Sequence, residues 1–404
     1  MRQLEPSNVF NKIFDYVGHE FSFAVLIFIL FVVPKFFQRY RIPSAITSFV
    51  LGFIAGGFGD LAKDPTIKLL ATLGIVSLFL FAGLEINLRE LRQGGKFILQ
   101  HLAIRAILLL VATLVISKWS TIVIRPSLLV ALALFTPSTG FILDSLGSLA
   151  VTMEDRLWIK TKAIAGELLA LLALFFTLQS TTFFQFLLST SAFVLMILLI
   201  PVLFRFFAAK IVPHAPKSEF GFLLMLATIC AVITSKLGAY YLVGAFVVGL
   251  AARRFQEKMP EVASEKILNA VEVFSSFFVP FYFFYSGSHL KLGSSGFLSL
   301  LMGLVFAVTA LPVRLGLGIV HRKLALKEDT RASVRVGVSL LPTFVFTLVI
   351  VDILRNHYGT EEHILAGLVL YALLNTLIPG IVLKSPAAVY DAPTFGRAER
   401  EENK

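Results

Sequence analysis

Glu167 stands in the middle of the apolar run LWIKTKAIAGELLALLALFFTL, residues 157–178. Burying a carboxylate at the centre of such a run costs about 2.5–3.5 kcal/mol in a bilayer, and residues of this kind mark ion or proton pathways. Neutralised by a proton or tied to a neighbouring helix, the same residue can also be purely structural. In the pathway reading, it holds a proton or a cation in turn. The second chemical signal is backbone rather than side chain. Thr136-Pro137-Ser138-Thr139-Gly140 falls at the midpoint of the apolar run 129–147, and Leu341-Pro342-Thr343 at the midpoint of 331–351. Proline removes a backbone donor and clashes with the preceding turn, so both stretches are expected to unwind. Two broken helices meeting in opposite orientation offer carbonyls and half-helix ends to a small ion. Either proline alone is equally a kink, which membrane helices often carry. The hydroxyls of Thr136, Ser138 and Thr139 would add oxygens, the ligand type hard alkali cations prefer.

Other charges within apolar runs are few. Asp144, about two turns past the first break, either attracts cations or is an interfacial charge. Arg314 and Arg335 sit near run ends, where long basic side chains snorkel to the headgroups. Arg105 lies deeper and has no evident role. Glu85 and His289 occupy span ends and are expected to be solvated. The motifs GxSxG, HExxH, GxxxxGK[ST] and GxGxxG do not occur in a suitable context, so neither an enzyme nor a cofactor is implied. The single Cys230 excludes an intrachain disulfide and a cysteine metal cluster.

These residues need a membrane scaffold to hold them. The chain has 404 residues, of which 57% are hydrophobic and only 15% charged, with mean hydropathy +0.85. Soluble domains carry roughly a quarter charged residues. The net charge of +11 is spread between apolar runs without an aromatic-interleaved basic stripe, so nucleic acid is not expected as a partner. A bilayer crossing needs about 20 apolar residues. Thirteen windows qualify, near 21–37, 42–58, 67–84, 97–117, 127–147, 157–178, 183–208, 219–236, 239–252, 272–288, 296–318, 331–351 and 362–383. The first is expected to be retained rather than cleaved as a signal. Residues 1–384 thus read as one all-α polytopic membrane domain, followed by a short polar tail, 385–404.

Lysine and arginine in short loops stay cytoplasmic. Of the 36 Lys+Arg, 24 follow odd-numbered spans or lie in the tail, nine lie on the other side, and Arg105, Arg314 and Arg335 fall inside spans. The N-terminus is therefore expected outside and the C-terminus in the cytoplasm, in an inner (plasma) membrane. An internal repeat is also visible. Gly83 of span three matches Gly287 of span ten, Phe53-x-x-Gly56 of span two matches Phe246-x-x-Gly249 of span nine, and Pro137 matches Pro342. The offsets are 204, 193 and 205 residues. Each pair is seven spans apart, so the partners run in opposite directions, as in an inverted-topology repeat.

Three segments carry a resemblance over nearly the full chain: LGIVSLFLFAGLEINLRELRQGGK (73–96), LGAYYLVGAFVVGLAARRF (237–255) and FFVPFYFFYSGSHLKL (277–292). The sequence resembles the monovalent cation:proton antiporter family, the sodium/proton exchangers and potassium-efflux relatives. That resemblance implies thirteen spans divided into a dimerisation part and a core part, with two crossed, unwound helices in the core and an elevator-like motion. By position, Thr136 to Gly140 match the first unwound stretch and Pro342 with Thr343 the second. Arg314 matches the basic residue facing the site. Where the family has Asp-Asp or Asn-Asp, this chain has Gly166-Glu167.

The expected function is exchange of Na+ or K+ for protons by a homodimer in the lipid bilayer. Glu167 would be the shared carrier, and one titrating carboxylate implies electroneutral exchange. Two alternatives keep the fold: an organic-anion transporter using helix N-termini and Arg314, or a transport-inactive membrane protein acting through partners.

Overall fold

The computed structural model describes residues 19–57, 64–86, 95–120, 123–146, 149, 151–179, 183–215, 217–237, 241–258, 265–290 and 296–383. With so many apolar side chains and no water to satisfy free backbone groups, the helix is the element that spans lipid while bonding its own amides. The helices are α1 (His19–Gln38), α2 (Ser44–Gly56), α3 (Pro65–Leu84), α4 (Gly95–Ser120), α5 (Ile124–Phe135), α6 (Thr139–Leu146), α7 (Met153–Gln179) and α8 (Phe183–Phe206). They continue with α9 (Glu219–Lys236), α10 (Tyr241–Lys258), α11 (Glu265–Ser288), α12 (Gly296–His321), α13 (Thr330–Ser339), α14 (Phe344–Tyr358) and α15 (Glu362–Val382). Single π-helical turns, Phe207–Ile211 and Arg322–Leu326, extend α8 and α12.

Each of the thirteen apolar windows falls on one helix or on a broken pair. Among the described residues, ten helical segments are long and apolar enough to cross a membrane, α5 and α6 counting together as one, and the α13–α14 pair, bent by 42°, makes eleven. The other two windows fall short for different reasons. Helix α2 has only 13 residues, and α10 ends in Arg253, Arg254, Glu257 and Lys258. Length and hydropathy alone therefore give ten or eleven crossings rather than thirteen.

Local signals set the ends. Asp64 caps α3 by accepting from Thr66 N at 2.7 Å, with Pro65 at the first helical position. Asp329 caps α13 through Arg331 N at 3.1 Å. Gly359 closes α14 at φ +56°, a left-handed conformation that glycine adopts without strain. Arg355 then grips Glu362 with two nitrogens, at 3.0 and 2.9 Å, and fixes the turn into α15.

The helices pack in two groups. In one, α3 lies against α10 and α11, α11 against α2, and α9 against α10. In the other, α12 lies against α15, α5 against α4 and α14, and α7 against α4 and α6. The groups meet through α3 on α6 and α7 on α8. At this seam Phe344, which opens α14, stacks on Phe283 at 5.4 Å and meets the edge of Phe49 at 5.3 Å.

The repeat glycines explain why the first group is so close-packed. A Cβ on Gly249 would lie 2.9 Å from Gly83 Cα, so α3 and α10 touch backbone to backbone. The symmetry-related contact uses the matching residues: a Cβ on Gly287 would lie 3.0 Å from Phe53 N, and one on Gly56 2.9 Å from Ser288 Cα. The inverted repeat thus appears twice in three dimensions, as α3 on α10 and as α11 on α2.

Candidate ion-binding site

Both predicted unwound stretches are present. Helix α5 ends at Phe135, Thr136 is extended at φ −89°, ψ 124°, and α6 restarts at Thr139. Helix α13 ends at Ser339, and α14 restarts at Phe344 after Thr343 at φ −119°, ψ 0°. The freed backbone groups of each break are satisfied by the other. Ser138 N donates to Pro342 O at 2.9 Å, and Ser138 Oγ accepts from Phe346 N at 3.0 Å. Thr347 Oγ1 donates to Ala133 O at 2.9 Å. Two chain segments some 200 residues apart therefore cross in direct contact, and Ser138 serves as a cap for α14.

Glu167 lies at this crossing. It is 2% exposed and accepts from Thr139 N at 2.9 Å through Oε2. Thr139 opens α6, so the carboxylate sits at a helix N-terminus, where the peptide dipoles favour negative charge. The Thr139 hydroxyl is buried and has no hydrogen-bond partner of ordinary geometry. Thr136, Ser138 and Thr139 are all at most 2% exposed. A carboxylate has about four lone-pair positions, and this one has a single backbone donor, which leaves acceptor capacity for a proton or a cation.

Two arginines complete the crossing, and only one was assigned a place from the sequence. Arg314 donates through Nη2 to Leu340 O at 2.8 Å and through Nη1 to Tyr371 Oη at 3.0 Å. Arg105 donates through Nη1 to Phe135 O at 2.6 Å and through Nε to His101 Nε2 at 3.1 Å. Phe135 and Leu340 stand at corresponding places before the two breaks, and Arg105 and Arg314 come from spans seven apart. Each broken helix therefore has its carbonyl end, the negative end of its dipole, capped by an arginine from the span before it. Arg314 is 9% exposed and does not snorkel to a surface.

Gly166 makes room for this arrangement. A Cβ there would lie 3.4 Å from Arg105 Nε and 3.3 Å from Pro137 Cγ. The guanidinium thus occupies the direction in which a side chain at 166 would point. Two further residues escaped the sequence reading. Asn375, fully buried, accepts from Thr343 N at 3.1 Å and donates to Thr343 Oγ1 at 2.9 Å. Tyr371 donates to Leu134 O at 2.7 Å. Both stand in the apolar stretch of α15, Asn375 beside Thr376, whose hydroxyl donates to Asn375 Oδ1 at 3.2 Å, and a polar residue in such a stretch signals burial with a partner.

The remaining candidates separate clearly. Gly140 brings α6 against α3, where a Cβ would lie 3.1 Å from Leu78 Cδ1. Asp144 belongs to α6, but its side chain lies outside the described residues, as does the tail 385–404. Arg335 pairs with buried Asp155 at 2.9 Å instead of snorkelling. Glu85 is held by Lys160 at 2.7 Å, each side chain about a quarter exposed, so it is paired rather than merely solvated. That ion pair bridges the two helix groups. It lies in a cleft of about 640 Å³ that also reaches Ser48, Leu78, Gly140 and Glu272. The cleft thus leads from charged side chains to the residue next to Thr139.

Comparison with known proteins finds relatives over most of the chain. The chain is 25% identical over 380 residues to a probable Na(+)/H(+) antiporter 3 of Methanocaldococcus jannaschii, covering 91% of this chain and 96% of that protein. It is 24% identical over 374 residues to a Na(+)/H(+) antiporter of Enterococcus hirae, covering 86% and 92%. The solved sodium proton antiporter MjNhaP1 from Methanocaldococcus jannaschii superposes with a TM-score of 0.62 at 16% identity, covering 89% of this chain and 94% of that one, and so shares its fold. Residues 25–389 match the family described as sodium/hydrogen exchanger, transmembrane. Crossed breaks, inverted repeat and a match over most of the length converge, and the chain belongs to the sodium/hydrogen exchanger family.

Proposed function

We propose that this protein exchanges a monovalent cation, Na+ or K+, for a proton across a membrane, with Glu167 as the shared carrier. The observation that carries the proposal is the Glu167 carboxylate, buried at the crossing and held by Thr139 N. The names of its relatives, antiporters of Na+ or other cations with protons, support the same chemistry. Thr136, Ser138 and Thr139 supply hydroxyl or backbone oxygen to the cation, and Pro137, Gly140, Pro342 and Thr343 keep the breaks open. Binding of the cation at Glu167 displaces the proton, and protonation from the other side releases the cation. The group that contains α5, α6, α7, α13 and α14 moves against the group of α3, α10 and α11, along the cleft between them.

With a single carboxylate at the crossing among the described residues, one proton exchanges for one cation and no net charge moves. The protein acts as a homodimer in a plasma membrane, N-terminus outside and C-terminus in the cytoplasm, the orientation favoured by its basic loops. Dequenching of a proton-gradient dye in everted vesicles on addition of Na+ or K+ tests the reading. The response is expected in the wild type and absent in Glu167→Gln; an equal response in both overturns it.

A further inference from the structure

A second polar cavity lies between α4, α7, α12 and α13, and the residues before the two breaks, Phe135 and Leu340, contribute to its lining. Its polar lining consists of His101, Arg105, Lys162, Arg314, His321 and Arg322, and among the described residues no acidic side chain contributes to it. Six nitrogen-bearing side chains facing one buried space is an arrangement that needs an explanation, because buried charges are ordinarily paired.

Some of that charge is accounted for. Arg105 and Arg314 hold the carbonyls of Phe135 and Leu340. One nitrogen of Arg322, Nη2, pairs with Glu328. The rest is not. Arg322 is 2% exposed and its guanidinium lies 5.8 Å from the Trp158 ring centre, yet its Nε and Nη1 have no hydrogen-bond partner among the described residues, and neither has His321 Nε2. Lys162 is also 2% exposed; its Nζ lies 3.4 Å from His321 Nδ1 and 6.0 Å from the Trp158 ring centre. Among the described residues no carboxylate stands within ion-pair distance of Lys162. Four formal positive charges thus line the cavity, Glu328 is the one carboxylate in ion-pair contact with any of them among the described residues, and the unused donors belong to three side chains.

We propose that this cavity is a binding site for a phosphate oxyanion, supplied as free phosphate or as a lipid headgroup. A guanidinium offers a planar fork of donors that suits phosphate, and an ammonium adds donors as a point charge. A tetrahedral oxyanion presents acceptors in every direction and so meets donors converging from α7 and α12 at once. The size agrees: the cavity measures about 40 Å³, where one water needs about 10–15 Å³, so a small anion fits and a nucleoside does not. Arg105 and Arg314 form one wall of this cavity and also cap both breaks, which couples its occupancy to the transport site without using Glu167.

The test uses the purified full-length protein. Equilibrium dialysis with radiolabelled inorganic phosphate, at fixed ionic strength against Tris chloride, reads free oxyanion. Lipid analysis after purification from membranes containing phosphatidylglycerol and phosphatidylcholine reads the headgroup. Near one phosphate per chain in the wild type, falling at least about tenfold in Lys162→Met and Arg322→Gln, supports free phosphate, as expected for loss of a charged hydrogen bond. No dialysable phosphate, but phosphatidylglycerol retained by the wild type and lost from both variants, supports the headgroup. Where either variant does not fold, His321→Gln takes its place, with weakened binding expected. The proposal is overturned if the wild type binds neither, if chloride competes equally with phosphate, or if folded variants bind like the wild type.

Discussion

The amide of Thr139 donates to Glu167 Oε2 at 2.9 Å, so the first residue of α6 holds the buried carboxylate of α7. The side chain proposed as the carrier is therefore positioned by the same backbone break that would offer oxygens to a cation. Glu167→Asp shortens the arm by one methylene, about 1.5 Å, and draws the carboxylate away from that amide. Exchange is expected to persist with an apparent KM for the cation raised about tenfold, since about 1.4 kcal/mol is a factor of ten. Initial rates in everted vesicles over a range of cation concentrations measure it.

Arg105 is the partner the sequence did not reveal. Its bond to Phe135 O at 2.6 Å mirrors that of Arg314 to Leu340 O at 2.8 Å. Arg105→Gln leaves the carbonyl end of α5 without its cation. A charged hydrogen bond of this kind contributes about 1.5–3 kcal/mol, so exchange is expected to fall about tenfold or more while the protein still inserts. Arg105→Lys should recover part of the loss.

Gly166 connects directly to that residue. A side chain at 166 starts 3.4 Å from Arg105 Nε, so the carboxylate in Gly166→Asp should pair with Arg105 and pull it from Phe135. The variant is expected to be slower than the wild type, and adding Arg105→Gln should not restore the rate, because the carbonyl of Phe135 stays without its cation. In the wild type, a clamped membrane potential should leave the rate unchanged. Each net charge moved would otherwise respond to about 2.3 kcal/mol per 100 mV. Flux into liposomes with and without a potassium diffusion potential distinguishes the cases.

Asn375 ties α15 to the second break through Thr343 N and Thr343 Oγ1. Asn375→Leu removes both bonds and leaves buried polar atoms unpaired, at about 1–3 kcal/mol each. A lower thermal unfolding midpoint is expected, together with weaker exchange. In contrast, Gly249→Ala should impair folding through α3, because its Cβ would lie 2.9 Å from Gly83 Cα, whereas Gly221→Ala meets nothing within 4 Å and should be silent. Yield of monodisperse protein on gel filtration separates the two.

What could be read from the sequence follows from how local each signal is. Glu167, Pro137 and Pro342 stand out because a carboxylate or a proline inside an apolar run is costly wherever the chain folds. The repeat was visible through Gly83, Gly287 and the paired Phe-x-x-Gly motifs because close helix contact admits only the smallest residue. Arg105, Tyr371 and Asn375 were not legible, because their meaning lies in partners 30 to 237 residues away. Arg335 reads as snorkelling until Asp155, 180 residues distant, is seen beside it. The number of crossings does not follow from length and hydropathy for a related reason: α2 is too short and α10 too charged at its end, while both pack through glycine contacts with α11 and α3.

Purified protein in liposomes, tested with Na+, K+ and Li+ in turn at several pH values, addresses the central claim most directly. Cation-dependent proton flux is expected in the wild type with at least one of these ions, and none in Glu167→Gln protein that elutes identically on gel filtration. Undiminished flux in that variant would contradict the account.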